Sequence, residues 1–120
     1  MSWIKLKCSS DIVAGDVLSY DTGLSLYSRA SNMNTPLYVA MNNAEEDPDN
    51  LGSYYVKSKA QGQVQAKASR DIVDQGGFVA VENGAVYVDN NNTYSPGIIW
   101  HNFVGAPARV AGDLVTITLR

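Results

Sequence analysis

The sequence has few of the side chains from which catalytic and metal centres are usually built. Cys8 is its one cysteine and His101 its one histidine. A lone cysteine forms no internal disulfide, so the 120 residues must hold together by burial, and a chain of this length can bury an adequate core without cross-links. One His and one Cys do not make up the usual zinc ligand set. His101 follows Trp100 in an apolar run and reads as a structural residue. No Ser lies in a G-x-S-x-G elbow, nothing marks a base beside a nucleophile, and the glycines are spread over turns instead of forming a phosphate loop. Charge is scarce too. Only 18% of residues are charged, the net charge is −3, and Lys and Arg form no run, so a phosphate-tracking nucleic-acid surface is not expected. No stretch approaches the roughly 18 apolar residues of a membrane span. The start, MSWIKLK, lacks the apolar core of a signal peptide, so synthesis and folding in a cytosol without an export address are expected. These shortages argue against an enzyme, a metal or other cofactor, a direct nucleic-acid partner and a membrane partner.

What is present reads as strand almost throughout. Trp3 to Cys8 alternates, with Ile4, Leu6 and Cys8 on one face and Lys5 and Lys7 on the other. Val17 to Tyr20 and Leu24 to Ser28 flank Thr22-Gly23 as a hairpin. Phe78 to Val81 and Ala85 to Val88 flank Asn83-Gly84, the residue pair of a type I′ turn. Tyr54 to Lys59 and Gln63 to Ala68 flank Gly62 and read as a third hairpin. Leu37 to Met41 and Ile98 to Trp100 are continuous apolar runs, expected as central strands. Leu114 to Leu119 alternates with Val115, Ile117 and Leu119 inward. A short helical turn is allowed only near Asn42 to Asp47. The expectation is an all-β fold, a small single-domain β-barrel or sandwich.

Much of the chain reads twice. Asp11-Ile12-Val13 returns as Asp71-Ile72-Val73, Gly15 as Gly76, Gly23 as Gly84, Pro36 as Pro96 and Asn42 as Asn102. Glycines at matching places imply the same turns made twice, since Gly alone enters positive φ freely. The expected organisation is an internal duplication in one domain, residues 1–120. It consists of an N-terminal strand at 2–8, a half-repeat at 10–69 and a half-repeat at 70–120, the halves completing one closed β-structure. The strand at 2–8 stands outside the repeat. It either pairs with Leu114 to Leu119 or projects as an arm.

Two polar stretches draw attention. Glu45 to Asn50 is dense in carboxylates, but Pro48 splits it and it lacks EF-hand spacing, so it reads as a solvated loop and not a Ca²⁺ site. Asp89 to Thr93 reads as a polar loop tip. Seven tyrosines are a large number for this length, and Tyr54-Tyr55 on a strand place one ring on each face. Exposed Tyr and Trp favour interfaces. The candidate contact residues are therefore Trp3, Lys5, Lys7, Tyr54 and Tyr55.

The stretch Ser10-Asp11-Ile12-Val13-Ala14-Gly15-Asp16-Val17-Leu18 is followed by a Gly turn, an apolar strand and then Pro36-Leu37-Tyr38-Val39-Ala40. Later come Gln61-Gly62-Gln63-Val64 and Ala111-Gly112-Asp113-Leu114-Val115. This pattern, over roughly residues 10 to 119, resembles the small head decoration or cement proteins of tailed bacteriophages. It departs from them in having Tyr38-Val39-Ala40 where many relatives have Gly-Val-Ala. The resemblance implies a virion protein on the capsid exterior, made in the host cytoplasm. It would bind the major capsid protein as a trimer or dimer and stabilise the expanded head by bridging neighbouring subunits. Alternatives are another small virion or tail β-domain, or a carbohydrate-binding module that stacks sugars on Trp3, Trp100 and the tyrosines.

Overall fold

The computed structural model describes residues 3–31, 37–72, 76–89, 99–102 and 110–119. Every regular element among them is a strand. In the first half these are β1 (Ile4–Cys8), β2 (Val17–Asp21), β3 (Leu26–Arg29), β4 (Tyr38–Ala40), β5 (Glu45–Glu46) and β6 (Tyr54–Lys59). In the second they are β7 (Gly62–Lys67), β8 (Gly76–Glu82), β9 (Ala85–Val88), β10 (Ile99–Asn102) and β11 (Leu114–Leu119). The first sheet runs β1-β3-β2-β4-β6, and β1 pairs back onto β6, closing a five-stranded barrel with β5 alongside β6. The second runs β7-β11-β10-β8-β9, and a bridge between Ala68 and Val86 brings β7 round to β9. Closure leaves few free strand edges.

The two rings have the same strand order and the same register. Leu6 lies opposite Val56 as Ala66 lies opposite Val115. Cys8 meets Tyr27 as Ala68 meets Val86. Leu18 faces Arg29 as Val79 faces Val88, and Val17 faces Val39 as Phe78 is joined to Trp100. Ala40 faces Ser58 as His101 faces Ile117. In strand terms the matching units run from Ile4 to Lys59 and from Gly62 to Leu119, with β1 inside the first as the counterpart of β7. The expected single closed structure is thus two rings, one per half.

Three sequence expectations change. Tyr54 to Lys59 and Gln63 to Ala68 do not form a hairpin. The edges of β6 are taken by β1 on one side and by β4 and β5 on the other, so β7 turns away and pairs with β11. The N-terminal strand pairs neither with Leu114 to Leu119 nor projects; it lies antiparallel to β6. Around Asn42 to Asp47 the chain forms the short strand β5 instead of a helical turn. Ser2, Pro36, Val73, residues 90–93, Pro96 and Ile98 lie outside the described residues.

Each half has its own apolar centre, but β2 and β4 serve both. Leu18 and Ala40 pack with Leu6, Cys8, Ile12 and Val56 inside the first ring. Their neighbours Val17 and Val39, on the opposite strand face, join Ala66, Ala68, Val86, Val115 and Ile117 in the core of the second. The Asn83-Gly84 turn has φ of 46° and 77°, the two positive angles that a type I′ turn requires. The other hairpin differs. Its positive-φ residue is Ser25 (56°), and Asp21 Oδ1 accepts the N–H groups of Gly23 and Leu24 at 2.9 and 3.2 Å. A side-chain acceptor shapes this loop where two residues in positive φ shape the other.

Candidate functional site

Strand alternation turns Lys5 and Lys7 of β1 and Tyr55 and Lys57 of β6 to the outside of the first ring. Lys5 lies directly opposite Lys57, and Lys7 opposite Tyr55. Trp3, 47% exposed, continues this face. Like charges opposite one another on a sheet repel. Here each of the facing ammonium groups rests on a ring: Lys57 Nζ is 4.7 Å from the centroid of Trp3 and Lys5 Nζ is 4.9 Å from that of Tyr55. The electron-rich ring faces offset part of the repulsion. Among the described residues no ion pair reaches Lys5, Lys7 or Lys57. Beside them runs a groove of about 270 Å³, lined by Trp3, Lys5, Tyr55 and Lys57 together with the carboxylates of Glu45, Glu46 and Asp47.

Four of the five residues expected at an interface, Trp3, Lys5, Lys7 and Tyr55, therefore share one face. Tyr54 does not. Its half-buried ring packs against the core of the first ring, as the alternation between neighbours requires. Lys57 belongs to the face and was not singled out from the sequence; its signal was its place two residues from Tyr55. The acidic loop turns its carboxylates onto its own backbone and neighbours. Glu46 Oε2 accepts the Gly52 N–H at 2.8 Å, Asp47 Oδ1 accepts the Asp49 N–H at 2.9 Å, and Glu45 Oε1 accepts from Asn42 at 3.3 Å. Among the described residues no group of three or more His, Cys, Asp or Glu is arranged to hold a metal ion.

A second polar cluster lies where the halves meet. Asp16 is buried, with Oδ1 3.2 Å from Lys67 Nζ and Oδ2 3.1 Å from Arg29 Nη2. Oδ2 also accepts the Val13 N–H at 2.9 Å. Arg29 reaches on to Asp11, where Nη1 meets Oδ2 at 2.7 Å. That hydrogen bond holds the Asp11 carboxyl below its ordinary value. Val13 to Asp16 and Val110 to Asp113 are the same four residues, and they fold alike. In each the Asp carboxylate accepts the Val N–H, and the Gly has φ of 94° or 95°. The sequence marked both as strand starts, and the burial of Asp16 alone came from its tertiary neighbours. Cys8 is buried in the first core. Desolvation, helped by Asp11, pushes its thiol up to about 11, so it is a protonated packing group at neutral pH.

No protein-family model, curated protein or solved structure matches the chain. Among the described residues no helix is long and apolar enough to cross a membrane.

Proposed function

We propose that this chain is a structural virion protein that binds the outside of a tailed-phage capsid and stabilises the expanded head by bridging major capsid proteins. The observation that carries this reading is the outer face of β1 and β6. There Trp3 is exposed, and Lys5, Lys7 and Lys57 have no acidic partner among the described residues. An aromatic anchor beside cations that make no ion pair suits an acidic protein surface, with the Glu45, Glu46 and Asp47 carboxylates of the adjoining groove setting the limit of the positive face. A closed ring gives that face a rigid backing, so little ordering entropy is lost on contact. A ligand that binds only the expanded shell stabilises that state by mass action, and many copies on one lattice make modest contacts collectively strong. On the lattice the protein would act as a dimer or trimer.

The test is co-sedimentation of the purified protein with expanded and unexpanded heads of its phage. Binding to expanded heads, reduced by Trp3→Ala and by the pair Lys5→Glu and Lys57→Glu, is the expected result. Equal binding to both head forms, or none, would count against the reading. The groove beside Trp3 and Tyr55 supports a second reading, a carbohydrate site. However, each of those rings already has an ammonium group against it, which leaves less π surface for stacking a sugar. A glycan array reports on this directly.

A further inference from the structure

The first ring closes tightly on one side of β1 and loosely on the other. β1 lies along β6 for its whole length, from Ile4 opposite Ser58 to Cys8 opposite Tyr54. Its other edge pairs with β3 at one place, Cys8 beside Tyr27. Counting back from there along the two parallel strands, Leu6 comes level with Ser25. Ser25 has φ of 56°, so the chain leaves the extended region and the pairing stops. The Lys57 N–H donates to Asn42 Oδ1 at 3.0 Å, and Lys57 O accepts the Met41 N–H at 2.8 Å. Both groups therefore point away from β1. Antiparallel ladders alternate, so Lys5, which faces Lys57, turns its N–H and C=O away from β6 as well. Lys7, two residues on, turns its N–H the same way. Among the described residues the Lys5 N–H and C=O and the Lys7 N–H have no partner.

The second ring shows what fills such an edge. Ala66 lies opposite Val115 as Leu6 lies opposite Val56, so Lys67 stands where Lys7 stands. The Lys67 N–H donates to Gly15 O at 2.9 Å, and Lys67 Nζ is 3.2 Å from Asp16 Oδ1. The segment that covers this edge thus brings a backbone carbonyl and, on the next residue, a carboxylate. Lys7 is exposed and has neither. The Glu45 to Asp47 carboxylates lie beyond β6, on the far side of β1 from the open edge. Ile4, on the inner face of β1, is 42% exposed, and Leu24 in the β2–β3 loop is 61% exposed.

We propose that the open edge of β1 receives an extended acidic segment of a partner protein, added as a further strand between β1 and the β2–β3 loop. Its backbone pairs with Lys5 and with the Lys7 N–H. Strand alternation sets its acidic side chains beside Lys5 and Lys7 and its apolar side chains beside Ile4. Backbone hydrogen bonds supply the strength of such a contact and the alternate side chains its specificity. The proposal does not rest on the capsid reading, because any partner protein carrying such a segment would fit.

The test is an NMR titration of the isotope-labelled full chain with a short capped peptide that alternates Glu with Val. The expected result is saturable shifts at the amides of Ile4 to Lys7 and of the β2–β3 loop, half-complete below about 1 mM. The same peptide N-methylated on alternate residues, so that it cannot pair with Lys5, should bind at least about tenfold more weakly. Replacing Glu by Lys in the peptide should weaken binding as much. Lys7→Glu in the chain should also weaken it at least about tenfold, with an unchanged melting temperature. No saturable shift up to about 5 mM peptide overturns the inference. So does equal binding of the N-methylated peptide, of the Lys peptide, or by Lys7→Glu. Shifts at Ile4 to Lys7 that follow protein concentration and not peptide would give the edge to a second copy and overturn it too. The titration needs no capsid, so it succeeds or fails independently of head binding.

Discussion

The β2–β3 and β8–β9 hairpins hold the same place in the same ring, and they differ where their surroundings differ. The second tip is pressed against the first half. A Cβ on Gly84 would come within 2.7 Å of Arg29 Cγ, and its φ is +77°. The first tip is open, and a Cβ on Gly23 would meet only Asp21 Oδ1, at 3.3 Å. Crowding selects a two-residue turn; open space tolerates a longer loop carrying an exposed leucine. The cores show the same contrast. Leu6 and Cys8 fill the first ring where Ala66 and Ala68 stand in the second. The second core makes up volume with Val17, Ala30, Leu37 and Val39, which come from the first half. The two units differ where one leans on the other.

The sharpest way to break this comparison is to place the same substitution at both tips. Gly84→Val should cost about 3–4 kcal/mol, combining positive φ with overpacking against Arg29. Gly23→Val should cost less than about 1 kcal/mol. Denaturant midpoints that fall equally would show that the tips are not in different environments. Next in size are the core exchanges. Leu6→Ala should cost about 3 kcal/mol through the cavity it leaves. Ala66→Leu should cost about 2 kcal/mol because its space is already occupied. A stabilising Ala66→Leu would mean that the second core is underfilled.

The twin Val-Ala-Gly-Asp turns give a smaller contrast. Asp16→Asn removes two ion pairs from a buried acceptor and should cost about 2 kcal/mol, the outer ends of Arg29 and Lys67 being partly solvated. Asp113→Asn, at the more exposed turn, should cost under about 1 kcal/mol. Chemical denaturation of the two variants side by side checks the difference.

The smallest expected effect is on acid stability. Asp11 is held below its ordinary value of 3.8 first by its hydrogen bond to Arg29, and Glu82 below 4.5 first by its hydrogen bond to Arg70. A depressed folded value means stability that is present above the unfolded value and lost as pH falls through the folded one. The melting temperatures of wild type and Asp11→Asn should therefore converge on acidification below about pH 4. Added salt should narrow the gap at neutral pH, since these groups lie near solvent. A gap that stays constant with pH would remove Asp11 from the account.

Much of this was legible along the chain. Alternation placed Lys5 and Lys7 opposite in sense to Leu6 and Cys8, and it separated the ring of Tyr54 from that of Tyr55. Asn83-Gly84 named its own turn, but its match at Gly23 is not in positive φ, so the paired glycines did not mark the same turn twice. These are local properties: side-chain direction alternates with a period of two, and few residues enter positive φ. Strand pairing is not local. β6 and β7 are joined by two residues and look like a hairpin, yet they lie in different rings because both edges of β6 are already taken. The same holds for Asp16, whose burial depends on Lys67 and Arg29 arriving from other strands. It also holds for the face built by Trp3, Lys5, Tyr55 and Lys57, which exists only because β1 lies against β6. The sequence by itself determined most of the strands, the Asn83-Gly84 turn and the recurrence of matching stretches, but not that β1 belongs to the first unit. The tertiary structure alone decided which edges closed, which valines served two cores and which hairpin tip stayed open, because these depend on how distant segments compete for the same edges and the same space.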